Sequence, residues 1–446
     1  MNFPPTVSGL RLLRMLKLIF YPLDYLEDNY QKHGDIFATS QSETPFIYIS
    51  NPQAIQEILT QDKTKFKSVA GAGFLNTLLG DNSLLFLQGE RHQRERKLLT
   101  PPFHGERLNS YAKLIYSISD EVTENLEINK AFNVREIMQE ITLKVILKAV
   151  FGITEGERYQ KLEDLLKSWL SFFDNPANAT IMFFRVLQKD WGKLSPWGRF
   201  LRIKSEIRKL IYTEIRERRL QENYTGTDIL TLLMLARDEA GKSMSDQELH
   251  DELITLLIAG HETTASSLTW ALYWIHYCPD VENQLRFYFS NFNGNTDLLD
   301  IVKLPYLDAV CKETLRIYPV VLTTFIRILN TPLELMGYQF KPGTVFAPAI
   351  YLVHHREDIY PNSQQFRPER FLEKQFSPYE YFPFGGGSRR CIGMELAKME
   401  MKIVLYTILS KYQLKLRSSR PLKPVRRGIT VASPNNFKMI LSQKII

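Results

Sequence analysis

Between Ser245 and Pro279 the chain runs without a proline, and its apolar residues recur at three- and four-residue intervals. Ser245 and Glu248 form the serine–glutamate pair of a capping box, which fixes where a helix begins. About 33 residues at 1.5 Å each make a rod of roughly 50 Å, the width of a whole domain. Leu253, Leu256, Leu257, Leu268 and Trp270 make it apolar over much of its surface, so other elements must enclose it. A chain built around such a rod is mainly helical. Inside the rod lies Ala259-Gly260-His261-Glu262-Thr263-Thr264. The glycine costs about 1 kcal/mol of helix propensity, and adjacent β-branched threonines do not compensate. A local rule broken in a central helix points to a functional site. Small residues at 259 and 260 leave room for something bulky, and a threonine hydroxyl can bond back to the preceding turn. The same hexapeptide would also serve as a notch for another helix, and both readings stay open.

The rest of the chain supplies a smaller β-rich portion. Ile36–Thr39 and Phe46–Ile49 read as a hairpin, followed by a helix capped by Asn51 with Pro52 at its first position. From Arg107 to about Gln221 the periodicity is helical. Strand signals return between Val320 and Phe346, and a last hairpin is predicted between Gly428 and Leu441, turning at Pro434-Asn435-Asn436. There is no repeat, low-complexity tract or linker-like stretch, so residues 1–446 read as one large domain.

With 44% hydrophobic and 24% charged residues, the chain is neither disordered, collagen-like nor a coiled coil. Three cysteines, Cys278, Cys311 and Cys391, make no disulfide framework and suggest a reducing compartment. The net charge of +7 suits an acidic protein or an anionic membrane surface, and no basic run resembles a nucleic-acid arm. No segment has the ~18 uninterrupted apolar residues of a membrane span. Leu10–Tyr21 comes closest, but Arg11, Arg14 and Lys17 interrupt it and Pro22 closes it. It reads first as an amphipathic helix packed on the body, and second as a weak membrane-surface contact. With no signal-peptide pattern the chain reads as cytoplasmic, and the sequons at Asn178 and Asn223 as chance matches.

The decisive segment is Phe384-Gly385-Gly386-Gly387-Ser388-Arg389-Arg390-Cys391-Ile392-Gly393. Its glycines let backbone approach a ligand closely. Cys391 precedes a helix predicted from Met394 to Tyr412, where the helix dipole and two arginines stabilise a thiolate. That suits a nucleophile or a soft metal ligand. One cysteine is too few for zinc or an iron–sulfur cluster, but sufficient as the axial ligand of a haem iron.

Here the sequence resembles the cytochrome P450 family of haem-thiolate monooxygenases. Their pattern F-x-x-G-x-x-x-C-x-G is met by Phe384, Gly387, Cys391 and Gly393. Glu313-Thr-Leu-Arg316 resembles the family's E-x-x-R helix, and Phe366-Arg-Pro-Glu-Arg370 follows before the cysteine. The resemblance implies a buried ionic network of Glu313, Arg316 and Arg370 behind the haem. A second match, Glu155-Gly-Glu-Arg158, is out of position. The resemblance further implies a P450 fold, mainly α with a smaller β-rich portion, around haem b (iron protoporphyrin IX). Cys391 would be its metal ligand, and His92, Arg96, Arg327 and Arg389 its propionate partners. Ala259 and Gly260 would lie on its distal side, with Glu262 and Thr263 as the catalytic acid–alcohol pair that delivers protons.

The implied reaction inserts one oxygen atom of O2 into a C–H bond and reduces the other to water. Its electrons would come from a separate ferredoxin or flavodoxin with its reductase, since no reductase is fused here. Arg91, Arg94, Lys97, Arg390 and Lys398 form the expected docking patch. Phe172, Phe173, Met182, Phe183, Phe184 and the stretch from Phe74 to Leu87 suggest an apolar substrate, a long-chain fatty acid or other lipid, with Arg185 as a carboxylate anchor. Two other uses of the same fold are a haem-thiolate isomerase or lyase acting on a peroxide and a non-enzymatic haem sensor. The Glu262-Thr263 pair speaks against both.

Overall fold

The capping box at Ser245 is formed: the Glu248 amide donates to Ser245 Oγ at 3.2 Å, and the Ser245 amide donates to Glu248 Oε2 at 2.8 Å. The long helix it starts runs over Asp246–Tyr277, 32 residues. It belongs to a computed structural model that describes residues 3–40, 42, 44–69, 74–105, 107–152, 156–174, 178, 181, 187–192, 195–221, 226–292 and 297–445. Contacts divide the chain into two compact units. The first contains Met1–Gly71, Thr123–Arg135 and Ser266–Ile446, and the second Ala72–Val122 and Glu136–Ala265.

Every strand among the described residues lies in the first unit. The predicted hairpin joins β1 (Ile36–Ala38) to β2 (Phe46–Ile49), with Ile36 opposite Ile49. The sheet grows through β3 (Phe66–Val69), β5 (Ile326–Leu329) and β8 (Val345–Pro348) in the order β1-β2-β8-β5-β3. Period-two alternation sends Ile47, Ile49 and Phe346 to one face and Phe37, Tyr48 and Ala347 to the other. Each face is covered by its own apolar cluster, which explains strands with no polar side. The helix Pro52–Thr60 follows β2, and Asn51 Oδ1 accepts its Ala54 amide at 3.0 Å as predicted. β6 (Leu333–Leu335) and β7 (Tyr338–Phe340) make a separate pair.

Two sequence expectations need correction. The helical region from Arg107 is interrupted by a short strand, β4 (Ala131–Asn133). The last hairpin is not formed by Gly428–Leu441. Gly428 adopts φ +59°, turning the chain so that β11 (Thr430–Ala432) pairs back onto β10 (Val425–Arg427). The final strand β12 (Lys438–Lys444) joins β4 and β9 (Tyr412–Leu416) in another sheet. The turn residues at 434–436 are thus a link between sheets.

Among its described residues the second unit has helices as its regular elements and no strand. Glu157–Leu170 packs on Pro196–Leu220, with the Trp169 and Phe200 rings stacked at 5.5 Å. Phe172 joins them at 5.1 Å. These aromatics therefore build core. Leu75, Leu78, Leu79, Leu84 and Leu87 are likewise buried. Arg158, from the out-of-position motif, pairs with Glu214 and Glu217 of the neighbouring helix. The Phe173 side chain, Met182, Phe183, Phe184 and Arg185 lie outside the described residues.

Candidate functional site

Each unit carries one part of the predicted constellation. In the first, the loop holding Cys391 is closed by its own backbone: the Cys391 amide donates to Phe384 O at 3.0 Å, and the Gly385 amide donates to Phe382 O at 2.9 Å. Gly387 adopts φ +65°, and a Cβ there would meet Asp62 Oδ2 at 2.4 Å. A Cβ on Gly386 would meet Leu59 Cδ1 at 2.7 Å. These two glycines let the loop lie directly against the Pro52–Thr60 helix and the turn after it. Gly393 differs, since a Cβ there would meet nothing within 4 Å. The helix Met394–Lys411 starts beside it and is buried along most of its length, whereas Cys391 is exposed. Burial pushes the Cys311 thiol up to about 12 and the Cys278 thiol up to about 11, so neither is a thiolate at neutral pH. Cys391 alone has the exposure and the helix-head position that a ligand thiolate needs.

Behind the loop lies the predicted ionic network. Arg316 donates to Glu313 at 2.7 and 2.9 Å, and Arg370 to Glu313 at 3.1 Å, all fully shielded from solvent. Arg316 also donates to the His354 carbonyl at 2.7 Å. The His354 ring in turn accepts the Phe382 amide at Nε2, 3.1 Å away. Burial, and then Arg316, hold this imidazole well below its usual range, so it is neutral and free to accept. One buried carboxylate thereby anchors the start of the cysteine loop through two intermediaries. Sequence reasoning missed His354, which has no motif around it.

Arg327 sits on β5 with no exposed surface. Its guanidinium donates to Phe325 O at 2.6 Å and to Gly386 O at 3.3 Å, and its nearest carboxylate is Asp62 at 3.4 Å. Asp62 is already held by the Ser388 amide at 2.8 Å and the Ser388 hydroxyl at 2.9 Å. Burial outweighs Asp62 and pulls the Arg327 guanidinium below its ordinary range, and its Nε is buried without a hydrogen-bond partner. A buried guanidinium so weakly compensated calls for a second anion. Arg389 is buried on the short 3-10 turn Gly387–Arg389. Asp62 also escaped the sequence reading, being 326 residues from Ser388.

In the second unit, the helix Gly89–Leu99 carries His92, buried, and Arg96, half-buried, one turn apart. Two cations of the expected docking patch, Arg94 and Lys97, have acidic partners here. Arg94 is taken up by Asp238 at 2.5 Å and Glu248 at 3.5 Å, and also pairs with Glu95. Lys97 pairs with Glu239 at 2.6 Å. These charges are compensated within the protein, because the Asp238–Gly241 turn and the start of the long helix bring acids to them.

On the long helix, one face of Val134–Phe151 fixes the hexapeptide. A Cβ on Gly260 would meet Ile146 Cδ1 at 2.9 Å, so the glycine is a packing notch. Thr142 Oγ1 and His261 Nδ1 are 2.8 Å apart, and Gln139 donates to Glu262 at 3.2 Å. Ala259 is exposed, and Thr263 donates back to its carbonyl at 2.6 Å, the bond expected from sequence. Gly260 therefore owes its size to Ile146, and Ala259 is the small residue on an open side.

A thiol at the head of a buried helix, with an under-compensated arginine beside its loop, is the arrangement the resemblance to haem-thiolate proteins implies. The chain belongs to the cytochrome P450 family, whose sequence pattern it matches over residues 8–441. Cytochrome P450 135B1 of Mycobacterium tuberculosis is 33% identical over 433 residues, spanning 95% of this chain and 88% of its own length. Cytochrome P450 135A1 of the same species is 31% identical, with 96% and 93% covered. Among solved structures, a retinoic acid-bound cyanobacterial CYP120A1 superposes with a TM-score of 0.87 at 24% identity, covering 100% of this chain and 99% of that one. The cytochrome P450DA heme domain gives 0.86 at 21%, covering 99% and 98%. Like the family, this chain is a monooxygenase that uses haem b. The residues present fit that group. Arg327 lacks a full counter-charge, Cys391 is exposed at its helix head, and open space adjoins Gly393.

Proposed function

We propose that this monooxygenase hydroxylates a long-chain fatty acid or another lipid, with electrons from a separate ferredoxin or flavodoxin and its reductase. Residues 1–446 would act as one cytoplasmic haem domain. In this reading Cys391 is the iron ligand, Phe384 and Gly393 flank it, and Arg327, Arg389, Arg96 and His92 hold the propionates. When bound, the haem supplies O2 activation at an iron to which the thiolate pushes electron density. Thr263 Oγ holds the proton to be delivered, and Glu262, steadied by Gln139, replaces it. The observation that carries this role is the Thr263 hydroxyl bonded to the carbonyl of exposed Ala259, with the acid one residue before it.

Support for a lipid is the uncharged run Leu253–Gly260 leading to that turn, together with the retinoic acid bound by the cyanobacterial neighbour, an apolar chain ending in a carboxylate. The test is a screen of lipid classes for the Soret shift that marks displacement of iron-bound water, followed by product analysis. Fatty acids should shift the band and be hydroxylated. A response confined to small polar compounds would overturn the lipid reading. If Arg185 anchors a carboxylate, a fatty acid should bind more tightly than the alkane of equal length, and Arg185→Ala should remove the difference.

A further inference from the structure

The helix Arg11–Phe20 has more apolar surface than its packing uses. Its inner side is accounted for: Ile19 is buried, and Leu18 packs on the cluster around Tyr25 and Leu26. Arg14 ties the helix down by donating to Val7 O at 2.7 Å and Thr39 O at 2.5 Å, and Lys17 pairs with Asp28. On the outer side Leu10, Leu12, Leu13, Leu16 and Phe20 each leave between 36% and 72% of their surface exposed. Leu12, Leu16 and Phe20 repeat every four residues, so this is a continuous stripe. β10 lies against the helix, and its hairpin adds exposed Val425 and Ile429, the latter at the Gly428 turn.

The two segments that carry this stripe are basic, and the nearest acids in sequence are on the next helix, where Asp28 is taken up by Lys17. No aspartate or glutamate precedes Asp24, and none follows Glu400 to the end of the chain. Arg11, Arg420 and Lys423 are exposed beside or just before the apolar elements. A second protein or another copy of this chain would have to meet leucines and uncompensated cations together. An anionic bilayer surface satisfies both, because acyl chains take the leucines and headgroups take the cations. At ten residues the helix is too short to span, and no helix among the described residues is long and apolar enough to cross a membrane.

We propose that the outer face of the Arg11–Phe20 helix, together with the Ile429 turn, docks this protein on the surface of an anionic lipid bilayer. The substrate assignment plays no part in the argument. Each basic residue near such a surface strengthens binding roughly fivefold, and the leucines add a salt-insensitive share.

The test is sedimentation of the haem-loaded protein with vesicles of phosphatidylcholine, with and without phosphatidylglycerol. Partitioning should be at least about tenfold stronger with phosphatidylglycerol and should weaken with added salt. The double variant Leu12→Glu, Leu13→Glu should reduce it to background while leaving the Soret spectrum and thermal midpoint unchanged, since both side chains are exposed. Arg420→Glu with Lys423→Glu should remove the preference for phosphatidylglycerol and keep residual binding. Wild-type protein that stays in the supernatant overturns the proposal, as does a leucine variant that binds like wild type. Concentration-dependent dimers abolished by the leucine variant, without vesicle binding, would assign the face to a second copy and overturn it too.

Discussion

Arg327 is a full positive charge with no surface in solvent, and the geometry around it shows why such a residue occurs beside the cysteine loop. Its carboxylate neighbour Asp62, at 3.4 Å, is shared with two shorter donors from Ser388. Guanidinium stays charged under these conditions and can take two oxygens at once, so it suits a buried propionate better than lysine would. The thiol has the complementary requirement, since only a thiolate both binds iron firmly and donates electron density. Cys391→Ser should therefore eliminate the reduced carbon monoxide band that gives the family its name; an unchanged band would refute the ligand assignment. Thr263→Ala removes the hydroxyl held on Ala259 O, together with one methyl of a half-buried side chain. It should retain haem and substrate binding while raising peroxide released per NAD(P)H consumed. Product yield per electron equal to wild type would remove Thr263 from the proton path.

At the scale of elements, the long helix is held to its neighbour by three successive fittings of different kinds. Ile146 fills the notch of Gly260, Thr142 meets His261, and Gln139 steadies Glu262. Gly260→Ala would gain about 1 kcal/mol of helix propensity but must displace Ile146 Cδ1 from 2.9 Å. The two effects should nearly cancel in a thermal melt. Ile146→Val deletes that methyl and by itself should cost about 0.5–1.5 kcal/mol. Combined with Gly260→Ala it should cost much less, a coupling readable in a double-mutant cycle. Strict additivity would show that the two helices do not meet as described.

For the molecule as a whole, buried acids set how stability responds to pH. Burial raises Glu400 well above the usual carboxylate range, and burial followed by Glu95 does the same to Glu252, against a backbone N–H from Leu84. A folded state with raised carboxyl values holds its protons where the unfolded chain, near pH 4.5, releases them. Stability from these groups is therefore fully present in acid and is lost as pH rises. Asp308 has the opposite sign: burial pushes it up, but Lys402 and Lys312 outweigh burial and hold it low, so its contribution is lost below about pH 4. Glu400→Gln should stabilise the protein at pH 8 and have little effect at about pH 4.5, with the gap widening by up to about 1.4 kcal/mol per pH unit between them. A gap independent of pH in denaturant titrations would show that Glu400 is ionised in the folded state.

Local chemistry makes several features legible in the sequence by itself. Apolar periodicity and a serine–glutamate cap define the long helix, and the Asn51 cap, the first hairpin and the cysteine loop are readable from adjacent residues. Each of these depends on groups a few positions apart, where chain connectivity already guarantees proximity. The ionic triad is legible only through the resemblance to the family, whose motif order singles out Glu313, Arg316 and Arg370. What the tertiary structure decides are pairings across long separations. Asp62 meets Arg327 and Ser388, His354 supports Phe382, Ile146 fills the notch at Gly260, and Asp238 captures the charge of Arg94. The final strand likewise forgoes its predicted hairpin for partners at 131–133 and 412–416. Such contacts leave no period or spacing in the sequence, because which residues meet is fixed by the packing of whole elements and not by their distance along the chain.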